Sequence, residues 1–242
     1  MGMAAVTTTP AALRALEGDF AQIAALVETQ LGEAITAFER RDIALAERII
    51  RTDAKVDALN RQIDAHVYDA LRGGKLDERQ LRQTVSYLKL AGELERVGDL
   101  AKNVAKRTLV VSRESPAQMS IVGVVRMGRA SLRQLSDILS AYQTANLAAA
   151  EAIWGGDSDL DELYNSLYRD LMQAMSGDSS KVIAGAHLLF IAKNFERIGD
   201  HATNIAEALH FVETGELFAV ARPKGDETAA VGAASRTTPN LP

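Results

Sequence analysis

Cysteine is absent from the 242-residue chain, which excludes disulfides, thiolate metal ligands and a cysteine nucleophile. Any metal must be held by oxygen or imidazole, and a reducing compartment fits. Proline is scarce, with five residues, of which only Pro116 lies between residues 11 and 222. Aromatic residues make up 5% of the chain, while Ala, Leu, Arg, Glu and Asp abound; that composition favours helix. No stretch approaches the roughly 20 consecutive apolar residues that span a bilayer. The best run, 186–192, is far shorter and contains His187, so no integral membrane segment is expected. The first ten residues lack a basic stretch followed by an apolar one, so no secretory signal is read and a cytoplasmic protein is expected. The formal charge is −5 with no basic stripe to offset it, which argues against nucleic acid as a partner. With 47% hydrophobic residues the chain still has ample material for a core.

Apolar residues recur with helical period in six long segments, at about 10–40, 42–71, 77–112, 116–142, 145–175 and 179–214. Pro10 opens the first, Gly73-Gly74 and Gly177 end the second and fifth, and Ser115-Pro116 parts two halves. An internal repeat fixes the architecture. Glu95-Arg-Val-Gly-Asp-Leu-Ala-Lys-Asn-Val-Ala-Lys106 aligns with Glu196-Arg-Ile-Gly-Asp-His-Ala-Thr-Asn-Ile-Ala-Glu207, identical at seven of twelve positions. Upstream the register shifts by three, pairing Asp42 with Asn146, Glu47 with Glu151, Asp53 with Asp157, Asp57 with Asp161 and Gly73 with Gly177. The expected fold is all-α: two tandem homologous three-helix bundles of antiparallel helices, at 10–114 and 115–216. An extension at 1–9 precedes them, and a tail at 217–242, rich in Ala, Thr, Gly and Pro, is read as disordered.

The third helix carries its seam at Leu90, Leu94, Val97, Ala101, Val104 and Thr108, the sixth at Ile191, Phe195, Ile198, Ala202, Ile205 and Leu209, and the second at Leu45, Ile49, Thr52, Val56, Leu59 and Ile63. Beside these seams an acid followed four residues later by Asp occurs four times: Asp53 and Asp57, Glu95 and Asp99, Asp157 and Asp161, Glu196 and Asp200. Four residues bring two side chains to one face of a helix. The spacing places the pairs outward or in a shallow groove. Should the pairs of adjacent helices meet, their repulsion calls for a cation, and an oxygen-only set suits a hard ion. The other reading pairs each acid with Arg or Lys on a solvated face. Gly98 and Gly199 interrupt the motif, either for close helix packing or to leave room for an ion. Asn103 and Asn204 are read as structural, Arg96 and Arg197 as ion-pair partners. His201 has Leu100 as its repeat partner and so is no ligand common to both halves.

These residues, Glu95-Arg-Val-Gly-Asp99 and Glu196-Arg-Ile-Gly-Asp through Glu207, resemble the hallmark of the PhoU family, an acid-x-x-x-Asp motif in repeated helices. The resemblance spans about residues 10–216 and weakens only at the tail. It implies two multinuclear metal clusters, of iron or of Mg, Mn or Zn. Asp53, Asp57, Glu95 and Asp99 would hold one, and Asp157, Asp161, Glu196 and Asp200 the other. It further implies a non-enzymatic negative regulator of phosphate uptake and phosphate homeostasis, often a homodimer. Such a regulator acts with the phosphate-specific ABC transporter, through its PstB-type ATPase, and with a PhoR-type histidine kinase. Two other functions compete. A ferritin-like metalloenzyme needs inward Glu-x-x-His pairs, and only Glu207-x-x-His210 has the spacing, with Lys106 as the repeat partner of Glu207. A helical adaptor without metal is the third reading.

Overall fold

The structure is a computed structural model that describes residues 11–74, 76–113, 118–156 and 158–219, by backbone alone at 118–120 and 158. Its elements are α1 (Ala11–Arg40), α2 (Ile43–Thr52), α3 (Ala54–Gly73), α4 (Glu78–Val111), α5 (Gln118–Gln143), α6 (Leu147–Gly155), α7 (Ser158–Gly177), a 3-10 turn (Ser179–Lys181) and α8 (Val182–Thr214). No strand occurs among the described residues. The six expected helices are therefore present, with one correction: the second of each half is broken. Asp53 separates α2 from α3 while keeping helical dihedrals, φ −55° and ψ −36°, and α6 stops at Gly155, two residues short of α7. The separator at 115–116 and the extension at 1–9 lie outside the described residues.

Backbone geometry repeats along with the letters. Arg41 and Ala145, aligned in the two halves, are the described non-glycine residues with positive φ, at 54° and 51°. At each, the first helix of the half closes by the same bond: Asp42 N–H donates to Ala37 O at 2.9 Å, and Asn146 N–H to Ala141 O at 2.8 Å. This is the six-to-one bond that satisfies orphan carbonyls at a left-handed helix end. Asp42 and Asn146 then cap the next helix by accepting from the amides of Leu45 and Ala149. Asp77 and Asp178, also aligned, cap the last helical stretch of each half.

Helices α1, α4, α5 and α8 form the inner layer, with α4 on α8, α1 on α4 and α5, and α5 on α8. The α2–α3 pair covers α1 and α4 from outside, and α6–α7 covers α5 and α8, so two three-helix bundles lie side by side. Every seam residue expected in α4 and α8 is buried, and the buried residues of both halves join in one apolar cluster. Phe20, Tyr87 and Tyr142 meet across the halves, with ring centroids 4.9 to 6.2 Å apart. Polar ties cross the same boundary: Arg79 binds Glu213, Glu93 binds His201, and Arg107 lies 4.1 Å over the Phe190 ring. These pairs show that α4 and α8 run antiparallel, and they bring the two Glu-Arg-x-Gly-Asp segments to the same height, half-way along the central pair. Among the described residues no helix is long and apolar enough to cross a membrane.

Candidate functional site

The break between α2 and α3 presents Asp53, which is 6% exposed, toward α4. Gln30 of α1 donates from Nε2 to Asp53 Oδ1 at 3.3 Å, and Lys102 of α4 donates from Nζ to Oδ2. The same ammonium donates to Asp99 Oδ1 at 2.5 Å. Arg96 stands 3.5 Å from Glu95 and 3.8 Å from Asp99. Burial raises the Glu95 carboxyl above the ordinary glutamate range; Arg96 opposes the rise, and the charges of Asp99, Asp57 and Asp53 add to it. Of the four acids of the first half, Asp53 and Asp99 thus meet on one lysine, while Asp57 and Glu95 share only the charge field of that pair. For Lys102 burial works against the charge, yet its hydrogen bonds to Asp53 and Asp99 hold the ammonium above the usual lysine range. Gly98 serves packing: a Cβ there would lie 3.4 Å from both Val56 and Gln30, and its carbonyl accepts from Gln30 at 3.5 Å.

In the second half Glu196 and Asp161 are each 7% exposed, deeper than the shallow groove their spacing suggests. Close packing of α7 on α8 sinks them, as the break at Asp53 does in the first half. Lys193 Nζ donates to Glu196 Oε1 at 2.9 Å and lies 5.0 Å over the Tyr164 ring. Burial raises the Glu196 carboxyl, Lys193 lowers it, and Asp200 and Asp161 raise it again, so these three acids share one field. Glu196 Oε2 is buried without a hydrogen-bond partner. Asp157, the fourth expected residue, lies outside the described residues.

Among the described residues no three carboxylate or imidazole groups close on a point that could hold a metal ion. The halves answer the fit differently. In the first, both oxygens of Asp53 are engaged and a lysine sits between Asp53 and Asp99, so the donors as built do not fit a metal. In the second, the orphaned Glu196 oxygen beside Asp161 and Asp200 is a donor that a cation would satisfy.

Other groups singled out in the sequence are spent on structure. His201 Nδ1 and Asn204 Nδ2 both meet Glu93 Oε2, at 2.6 and 3.0 Å, which clasps the two halves. Trp154 Nε1 donates to Glu207 Oε1 at 3.4 Å, and His210 stacks on Phe218 with centroids 4.1 Å apart. The Glu207-x-x-His210 pair therefore packs against Trp154 and Phe218. Phe218 is the second residue of the segment read as disordered, yet its ring also stacks on Trp154 at 4.2 Å; residues 220–242 lie outside the described residues. Gln30, Lys102, Lys193 and Glu93 went unnoticed in the sequence. Gln30 had a signal, a polar residue within the apolar stripe of Ile23, Val27, Leu31 and Ala34. An arginine row, Arg126, Arg129 and Arg133, also escaped notice; it lines a groove along α5 in which Arg129 is paired with Glu39 at 2.8 Å.

With this geometry in place, comparison with known proteins gives consistent findings. The family model described as PhoU domain matches twice, over residues 20–108 and 124–209. The chain is 39% identical over 211 residues to the phosphate-specific transport system accessory protein PhoU homolog of Caulobacter vibrioides (strain NA1000 / CB15N), covering 87% of this chain and 92% of that one. It is 34% identical over 220 residues to the homolog of Rhizobium meliloti (strain 1021), covering 91% and 93%. The crystal structure of PhoU from Pseudomonas aeruginosa superposes with a TM-score of 0.82 at 27% identity, over 85% of this chain and 99% of that one. The phosphate transport system regulatory protein PhoU from Streptococcus pneumoniae gives 0.79 at 28% identity, over 86% and 98%. The chain belongs to the PhoU family.

Proposed function

We propose that this chain is a non-catalytic regulator of phosphate uptake. It works beside a phosphate-specific ABC transporter and a PhoR-type sensor kinase to hold down the phosphate-starvation response when phosphate is plentiful. One observation carries the reading: the family match occupies both halves, and relatives that align over nine-tenths of their own length are named accessory proteins of phosphate-specific transport. The exposed apolar side chains Leu81, Val85 and Leu88 recur along one side of α4, a face suited to a protein partner, and self-association as a homodimer belongs to the same proposal. The test is complementation. In a bacterium that lacks its own regulator, expressing this chain restores repression of a phosphate-starvation reporter in phosphate-rich medium, and the transporter ATPase co-purifies with it. A reporter that stays fully induced, with no transporter subunit recovered, overturns the proposal.

Metal binding enters the proposal through the second half. Glu196, Asp200 and Asp161, with Asp157 by resemblance, would hold a hard cation, which would satisfy the Glu196 oxygen that Lys193 does not reach. Support comes from the unpartnered Glu196 oxygen and from the carboxylate chemistry of the set.

A further inference from the structure

The first half departs from that pattern. Building on the metal reading of the second half, the geometry points to a built-in counter-ion: Lys102 fills, with its own ammonium, the place between Asp53 and Asp99 that a metal would take, so only the second half is open to metal in the native chain.

The donor inventory carries this assignment. Asp53 is the deepest acid of the first set, and it has no free oxygen: Gln30 holds Oδ1 and Lys102 holds Oδ2. Lys102 also holds Asp99 Oδ1, and its side chain is only 21% exposed. An incoming ion must therefore displace a cation tethered to the same helix, which no dilution removes. The repeat makes the point sharper. The counterpart of Lys102 is Thr203, whose hydroxyl donates back to its own helix, to Asp200 O at 2.8 Å, and so supplies no charge. In the second half Lys193, the counterpart of Gly92, bonds one oxygen of Glu196 while the other Glu196 oxygen stays orphaned. Thus the duplicated site is closed by its own lysine in one copy and keeps an orphaned Glu196 oxygen in the other. In use, the first set would serve as a permanent clasp between the α2–α3 break and α4, and the second alone would respond to metal.

Mn2+ titration of the untagged, chelator-treated full chain tests this, with ions bound per chain and the melting temperature as the two readouts. K102T installs the residue of the second half. Expected results are that wild type binds Mn2+ and loses it in E196Q/D200N but not in E95Q/D99N. K102T binds additional Mn2+, and that increment vanishes when D53N and D99N are added. K102R keeps the cation and gains nothing. Because K102T strands Asp53, its melting temperature falls without metal, and Mn2+ restores it; should the variant fold only with Mn2+ present, that rescue is itself the expected result. If K102T gains no Mn2+ over wild type, the inference is overturned while metal binding by the second half stands; if wild-type binding is lost in E95Q/D99N and kept in E196Q/D200N, the metal sits in the first half and both readings fall. If wild type binds none but K102T does, the metal reading of the second half falls and the role of Lys102 stands. Binding by neither protein ends both.

Discussion

Gly128 of α5 is the position where adding one methyl group most directly probes how the two halves fit. A Cβ there would lie 2.8 and 2.9 Å from Phe195 of α8 and 3.0 Å from Ile35 of α1. Phe195 is fully buried and Ile35 is 4% exposed, so neither the ring nor the Ile35 methylene has space to retreat. Overpacking of a filled core costs about 1–3 kcal/mol. Against this, alanine in mid-helix returns about 0.5–1 kcal/mol relative to glycine. The net for Gly128→Ala is a loss of roughly 0–2.5 kcal/mol, centred near about 1 kcal/mol, and each kcal/mol lowers Tm by on the order of 2–4 °C in a chain of this size. Thermal and urea unfolding followed by circular dichroism measure it. Gly18→Ala is the control, since a Cβ added to that exposed glycine of α1 would meet nothing within 4 Å and the change should stabilise by about 0.5–1 kcal/mol. F195L/G128A should recover part of the loss. A G128A protein stabilised as much as G18A would refute the close fit of α5 on α8. The consequence reaches the candidate site, because Phe195 adjoins Glu196 and a displaced α8 moves both.

Three further tests address local devices. Glu93 is pushed up by burial but held below the ordinary 4.5 by its bonds from His201 and Asn204, so it contributes stability above pH 4.5 that is lost as pH falls through its folded value. Glu93→Gln should cost about 1.5–3 kcal/mol at pH 7 and flatten the acid limb of a stability profile taken by urea unfolding; an unchanged acid limb counts against the clasp. Ala145 sits exposed at φ 51°, a left-handed conformation that costs a non-glycine residue about 1–2 kcal/mol, so Ala145→Gly should raise Tm, and a lowered Tm would contradict the turn described. Phe218→Ala should uncover Trp154, the only tryptophan, and shift its emission to the red, an effect absent if the two rings do not stack.

Helix number, order and seams were legible because long apolar periods leave no alternative once proline and glycine mark the ends. The turn after Gly73 is one such case: Gly74 takes φ 63°, as a left-handed helix end demands. The breaks inside the second and fifth helices were not legible. Asp53 keeps helical dihedrals, and nothing in its neighbours' propensities announces that its carboxylate is drawn in by Gln30 and Lys102, residues 23 and 49 positions away. That Asp53 and Asp99 lie on facing flanks of adjacent helices could be read from the four-residue spacing, since spacing decides which face an acid shares. Their depth could not, because depth depends on how closely the partner helix approaches. The lysines were missed for a related reason: a charge three residues from an acid is common on any solvated helix, and only packing shows which one is turned inward.

Comparison of the two halves separates what this fold must keep from what it can exchange. The left-handed residue at 41 and 145, the six-to-one bond and the Asp or Asn cap recur at aligned positions, since orphan amides and carbonyls at a helix end must find partners in either copy. Countercharges face no such constraint. A lysine can reach an acid from three residues after it, as Lys102 reaches Asp99, or from three before, as Lys193 reaches Glu196, and both solutions leave the backbone undisturbed. Electrostatics can therefore diverge between copies at little structural cost, while caps and turns stay fixed. If metal enters only the second half, the duplicated motif has been divided into a fixed clasp and a responsive face without any change of fold. That division explains why two segments so alike in letters are neutralised by lysines at positions the repeat does not relate.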